Sequence, residues 1–168
     1  LINKYNCKNI ITIENGFDPE DYISDKRISL PDFWDKDKIT ILYTGSIYPG
    51  YRDPSPLFTA IKNIKHSQSS RLLSALEVDF IGGCEDIDIL IDRFGISDYV
   101  KYRGYFPREV VLEMQKTADI LLFLESNSGN RRGVLTGKIY EYLFSGSIIW
   151  GIGIDSNSDI GQLINESG

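Results

Sequence analysis

The sequence predicts an α/β domain, a doubly wound parallel sheet of Rossmann-like type. Three observations predict it: apolar, β-rich runs alternate with amphipathic stretches along the chain, several runs are continuously apolar, and several stop at glycine. A strand covered by helices on both faces has no solvent side to keep polar, so continuous apolar runs imply a parallel, doubly covered sheet. With 168 residues and 42% hydrophobic content, the chain suits one domain with a real core.

The elements follow in order. "KNIITI" (8–13) reads as a strand, and "ENGFDPEDY" follows it with Asn-Gly and Asp-Pro turn chemistry. Residues 16–37 are polar with few periodic apolar positions and read as a connector. "KITILYTG" (38–45) is the next strand. "DPSPLFTAIKNIKHS" (53–67) places Leu57, Ala60, Ile61 and Ile64 at helical spacing, with Pro56 in the tolerated first turn. "LEVDFIGG" (76–83) is a strand, "CEDIDILIDRFGI" (84–96) a short helix with Gly95 as its C-cap, and "YVKYRG" (99–104) a strand. "PREVVLEMQKTA" (107–118) is a helix opened by Pro107, and "DILLFLE" (119–125) a strand. A helix over 137–145, the strand "SIIWGIG" (147–153) and the amphipathic "DIGQLINE" (159–166) close the series. In such a fold ligands bind beyond the carboxyl ends of the strands, which directs attention to loops 45–53, 82–86, 104–107, 124–137 and 151–158.

Composition narrows the function classes. A net charge of −6 and a pI near 4.8 argue against a nucleic-acid surface, which needs clustered excess Lys and Arg. A small anion held by a few placed cations stays open. Cys7 and Cys84 form no Cys-x-x-Cys pair, and His66, the one histidine, sits at the polar end of a helical stretch. A structural metal site and a Ser-His-Asp triad therefore lack their parts, and a reducing compartment is expected. No segment approaches the roughly 20 apolar residues of a membrane span, and no signal peptide opens the chain. The start at Leu1 and the close at "LINESG" suggest a domain excised from a longer protein.

Two stretches could carry chemistry. In "YTGSIYPGYRD" (43–53), Gly45 and Ser46 end a strand and Arg52 precedes a helix. Glycine admits a phosphate close to the backbone, and a helix start with a guanidinium holds its charge. The alternative is two turn glycines and a surface arginine. In "GNRRGVLTGKIYE" (129–141), Thr136 is a plausible N-cap, and Lys138 falls in the first turn, where a cation opposes the helix dipole unless an anion also sits there. Glu141, three residues on, shares its face and can accept bonds from the vicinal hydroxyls of a ribose; the alternative is an ordinary Lys–Glu surface pair. Tyr105 or Phe106 could pack on a base ring, or serve the core or its rim. The neighbouring carboxylates Glu20 and Asp21, and Glu85 and Asp86, fit solvated turns and helix starts, and Asp18 and Asp53 fit turn formers.

Taken together, "TIENGFDPEDY", "ILYTGSIYPGYRDPSPLFTAI", "VDFIGG", "VKYRGYFPREVVLEMQKTADILLFL" and "GKIYEYLFSGSIIW" resemble, in order, the C-terminal nucleotide-sugar-binding half of GT-B glycosyltransferases, nearest to the retaining group 1, or family 4. The resemblance implies a single donor-binding domain over 1–168, an acceptor domain absent from this chain, and metal-independent transfer with no cofactor beyond the nucleotide-sugar. It assigns Gly45, Ser46, Arg52 and Lys138 to the donor diphosphate, Glu141 to the ribose, and Tyr105 and Phe106 to the base. The family's first motif glutamate would fall eight positions before Glu141, where this chain has Gly133. The sugar-contacting group is thereby left open, with Asn127, Asn130 and Thr136 as candidates, and no catalytic residue is assigned.

The expected function is donor binding in a transferase that moves a hexose-type sugar to a glycan or lipid-linked acceptor in polysaccharide biosynthesis, in the cytoplasm or peripheral to the membrane. A non-catalytic nucleotide-sugar module and a GT-B sugar-nucleotide epimerase are the alternatives. A flavodoxin-like or response-regulator reading fits less well, because it needs acidic strand ends where these are Gly-rich and basic.

Overall fold

The computed structural model describes residues 11, 13, 15–22, 28–35, 37–48, 50–67, 69–84, 86–125 and 135–167. Five parallel strands, β1 (Ile39–Thr44), β2 (Leu76–Ile81), β3 (Val100–Gly104), β4 (Ile120–Leu124) and β5 (Ile148–Ile152), form one sheet in the order β3-β2-β1-β4-β5. Five helices connect or follow them: α1 (Ser55–Lys65), α2 (Ile87–Phe94), α3 (Arg108–Thr117), α4 (Gly137–Ser145) and α5 (Asp159–Ser167). This is the doubly wound arrangement expected, with the order of strands reversing at β1 and β4.

Alternate strand residues feed two cores. Ile41, Tyr43, Val78 and Phe80 pack with Leu57, Phe58 and Ile61 of α1 and with Ile87 and Ile91 of α2. Leu42, Ile81, Leu121 and Phe123 turn the other way and pack with Met114 of α3, Ile139 and Tyr142 of α4 and Ile160 of α5. Each such fully buried aliphatic side chain contributes about 1.5–3 kcal/mol, so both faces are committed to helix cover.

Two features differ from expectation. Of the strand anticipated over 8–13, only Ile11 and Ile13 are among the described residues; both are exposed and neither belongs to a strand. The connector is not wholly solvated: Tyr22 and Trp34 are buried, and Leu30 and Phe33 join the second core. Its apolar residues are too irregularly spaced to mark a helix or strand, yet they suffice to lay it across that core. Phe17 and Tyr22 close an aromatic triad with Phe144, with centroids 4.6–5.9 Å apart, which ties the connector to α4. Two short 3-10 turns, Pro19–Tyr22 and Ser70–Ala75, complete the chain path.

Among the described residues no helix is long and apolar enough to cross a membrane.

A candidate anion-binding crevice

β1 and β4 pair at Ile41–Ile120 and Leu42–Leu121. Tyr142 of α4 meets the ends of both strands, its ring edge-on to Phe123 at 6.3 Å and its hydroxyl at Thr44. Its hydroxyl accepts from the Thr44 amide at 3.0 Å and lies 3.1 Å from Thr44 Oγ1, which in turn accepts from Gln115 Nε2 at 2.9 Å. Burial pushes the Tyr142 phenol up to about 12, so it stays protonated as part of this network. The network ties the body of α4 to the end of β1.

Two glycines make the approach possible. Gly45 and Gly82 have φ of +116° and +112°, in the region side chains rarely adopt. A Cβ on Gly82 would lie 2.7 Å from the Gly45 carbonyl oxygen, and a Cβ on Gly45 would lie 2.7 Å from Lys138 Nζ. The lysine therefore rests on bare backbone, with its ammonium 4.2 Å from the centroid of the Tyr43 ring.

Charge at this point is unbalanced. Burial, first, and the neighbouring Arg52 guanidinium, second, pull Lys138 from its ordinary value near 10.5 down to about 7, while Cys84 and Glu141 partly oppose them. Among the described residues Lys138 enters no ion pair. Arg52 Nη1 donates to the Ser46 carbonyl at 2.9 Å, and the Tyr43 hydroxyl donates to the same oxygen at 2.8 Å, so the two side chains clamp the turn after β1. Cys84 is free and buried, and burial pushes its thiol up to about 11, too high to act as a counter-anion at neutral pH.

The structure thus gathers Gly45, Ser46, Arg52 and Lys138 at the place where the strand order reverses. Glu141 lies on the same helix, one turn on, and the Lys–Glu pairing considered from spacing is not made. Its Oε1 instead accepts from Arg108 Nη1 at 2.9 Å. Thr136 occupies the N-cap position of α4, as expected, yet makes no capping bond, and its buried hydroxyl has no hydrogen-bond partner among the described residues. Tyr105 is 78% exposed beside this region, whereas Phe106 joins the second core and meets Phe33 edge-on at 5.8 Å, the core role rather than an open ring face. Asn127, Asn130 and Gly133 lie outside the described residues.

Arg108, which pattern reading passed over, carried the same signal as Lys138: a cation in the first turn of a helix, against its dipole. Asn15 and Gly16 were read from the sequence as turn residues, not as neighbours of this site. Asn15 Nδ2 donates to the Leu135 carbonyl at 2.8 Å, and the Gly16 carbonyl lies 3.6 Å from where a Gly137 Cβ would stand, so the connector borders the start of α4.

A separate hollow of about 640 Å³ opens between the starts of α1 and α2, with Ile47, Arg52, Asp53, Ile87 and Arg93 among its walls. Arg52 is common to both places; the hollow also has Asp53 and Asp86 among its walls, whereas Lys138 has no ion pair among the described residues. Among the described residues no three His, Cys, Asp or Glu side chains converge as metal ligands would.

No family model matches the sequence, and no curated protein does. Solved structures do share the fold. The pneumococcal O-GlcNAc transferase GtfA, solved with UDP and GlcNAc, superposes with a TM-score of 0.51 at 13% identity over 71% of this chain. TarM of S. aureus superposes with a TM-score of 0.54 at 14% identity, and a TarM mutant solved with fondaparinux, α-GlcNAc-glycerol and UDP with 0.55 at 12%, each over 99% of this chain. The chain spans 21% of the length of GtfA and 33% of TarM. At these identities the likeness is one of fold: a Rossmann-like α/β domain matching part of glycosyltransferases of the GT-B type.

Proposed function

We propose that this chain is the nucleotide-sugar-binding domain of a retaining, metal-independent glycosyltransferase. One observation carries the reading: Lys138 rests on the bare backbone of Gly45 at the switch point of the sheet within the field of Arg52, and no carboxylate pairs with Lys138 among the described residues. A donor diphosphate supplies the missing charge. The start of α4 adds amide donors and the positive end of its dipole.

In that role Lys138 and Arg52 would face the diphosphate, and Glu141 would accept the ribose hydroxyls. When the glycosyl bond breaks, negative charge grows on the departing nucleoside diphosphate, and fixed cations in a partly buried crevice stabilise that charge more than they stabilise the ground state. The presence of UDP in the GtfA and TarM structures favours a uridine carrier. The acceptor, a glycan or a lipid-linked sugar, would meet the donor from a second domain, so this chain by itself should bind and not turn over. Polysaccharide assembly, in the cytoplasm or at the membrane surface, is the process such a transfer would serve.

A non-catalytic nucleotide-sugar module is the second reading, and Gly133, at the position of the family's first motif glutamate, favours it. Titrating the chain with UDP, GDP and ADP by calorimetry, beside Glu141→Ala, tests donor binding. Saturable binding of one nucleotide, weakened at least about tenfold by the substitution, is expected for a lost charge-assisted hydrogen bond. Binding of none of the three would refute the proposal; turnover of donor by a longer form with an acceptor separates enzyme from module.

A further inference from the structure

Glu141 is not a loose side chain waiting for a ligand. Its carboxylate is only 19% exposed, and one of its two oxygens, Oε1, takes the 2.9 Å bond from Arg108 Nη1. The contact is single, not the two-bond fork that guanidinium and carboxylate often make, so Oε2 has no hydrogen-bond partner among the described residues. Lys138, although on the same helix, makes no bond to Glu141 there. Orientation of the carboxylate is thus set from another element, α3.

Arg108 is itself in an unfavourable place. It is the first residue of α3, where a cation opposes the helix dipole, and its side chain is 55% exposed. An exposed ion pair contributes little to stability. What the bond to Glu141 does supply is order: it restricts the carboxylate to one rotamer, and a group already ordered spends less entropy when it captures a ligand.

We propose that Arg108 is the positioning residue for Glu141, and that the Arg108–Glu141 pair, not Glu141 alone, selects ribonucleotides over 2′-deoxyribonucleotides. This rests on the reading of Glu141 as the acceptor of ribose hydroxyls. The guanidinium holds Oε1, and Oε2 is left to receive the vicinal diol.

The test is calorimetric titration of the 168-residue chain with UDP and with 2′-deoxy-UDP, for the unaltered chain and for Arg108→Ala, Arg108→Lys and Glu141→Ala. The unaltered chain should prefer UDP by about tenfold or more, the scale of one hydrogen bond to a charged group. Arg108→Ala should bring the two affinities to within about threefold, and Arg108→Lys should restore part of the preference, since lysine keeps the charge without the planar fork. A merely structural role would weaken both ligands together and leave their ratio unchanged. If Glu141→Ala abolishes the preference while Arg108→Ala keeps it, the positioning role fails alone. A preference that survives Glu141→Ala, or a chain that binds neither ligand, overturns the ribose reading and the positioning role with it.

Discussion

Two charged clusters on one sheet make opposite use of charge. Along β2 and β3, Asp79 is 1% exposed and accepts from Arg103 Nε at 2.7 Å; the same guanidinium bonds Glu77, which also accepts from Lys38 Nζ at 2.9 Å. Cations and carboxylates alternate, and the Arg103 guanidinium also stacks 4.0 Å from the centroid of Phe33. At the ends of β1 and β4, Lys138 feels the like charge of Arg52, with the Tyr43 ring, a neutral thiol and glycine backbone around the lysine. A buried charge with its partner in place holds structure. Lys138, by contrast, has like charge near it and no counter-charge bonded to it among the described residues.

Substitutions should separate the two clusters, beginning with the largest effect. Arg103→Ala leaves Asp79 and Glu77 without their shared cation, and breaking a buried pair from one side costs about 3–5 kcal/mol. Urea denaturation should show a loss of that order; a loss under about 1 kcal/mol would mean that the pair is not what holds β2 to β3.

Gly82→Ala comes next. Strain at positive φ costs about 1–3 kcal/mol, and the new methyl would meet the Gly45 carbonyl, so stability and UDP binding should fall together. A variant as stable as the original would show that the ends of β1 and β2 can separate freely.

Lys138→Met should behave in the reverse sense to Arg103→Ala. UDP affinity should drop by about ten- to hundredfold, the range for hydrogen bonds to a charged group, whereas stability at pH 7 should hold or rise because an unpaired buried amine is gone.

The last effect is on pH dependence. Lys138 in the folded chain sits near 7, below its unfolded value near 10.5, so between those limits the unfolded chain binds the additional proton and stability rises with pH. The penalty is fully present below about 7 and is relieved toward 10.5. Between pH 6.5 and 9 the original chain should therefore gain stability relative to Lys138→Met. In the same interval its UDP affinity should decline as the free amine loses its charge, and a flat difference in both measurements would show that Lys138 is not perturbed.

Legibility from sequence divides along similar lines. "ITILYT", "LEVDFI" and "ILLFL" are strands of a covered sheet whose composition leaves little else for them to be, and each of the five α-helices falls on the stretch whose periodicity predicted it, whereas the 3-10 turn Ser70–Ala75 was not anticipated. Gly45, Arg52 and Lys138 stood out because glycine at a strand end and a cation at a helix start are locally costly. Pairings between distant residues were not legible. Arg108 and Glu141 are 33 positions apart and meet only because α3 and α4 pack side by side, and Phe106 turns to the core because the connector delivers Phe33 to it. Tyr22 and Trp34 were missed for the same reason: their burial depends on where a nonperiodic segment is laid down, not on their neighbours in sequence.

The most direct measurement is a calorimetric titration of UDP at pH 7 into the unaltered chain, Lys138→Met and Arg103→Ala, each first shown to be folded by circular dichroism. An unpaired cation awaiting an anion predicts saturable binding that Lys138→Met weakens at least about tenfold and that the folded fraction of Arg103→Ala retains. Equal affinity in the original chain and Lys138→Met, or loss of binding in Arg103→Ala alone, would contradict the assignment of the crevice as the anion site.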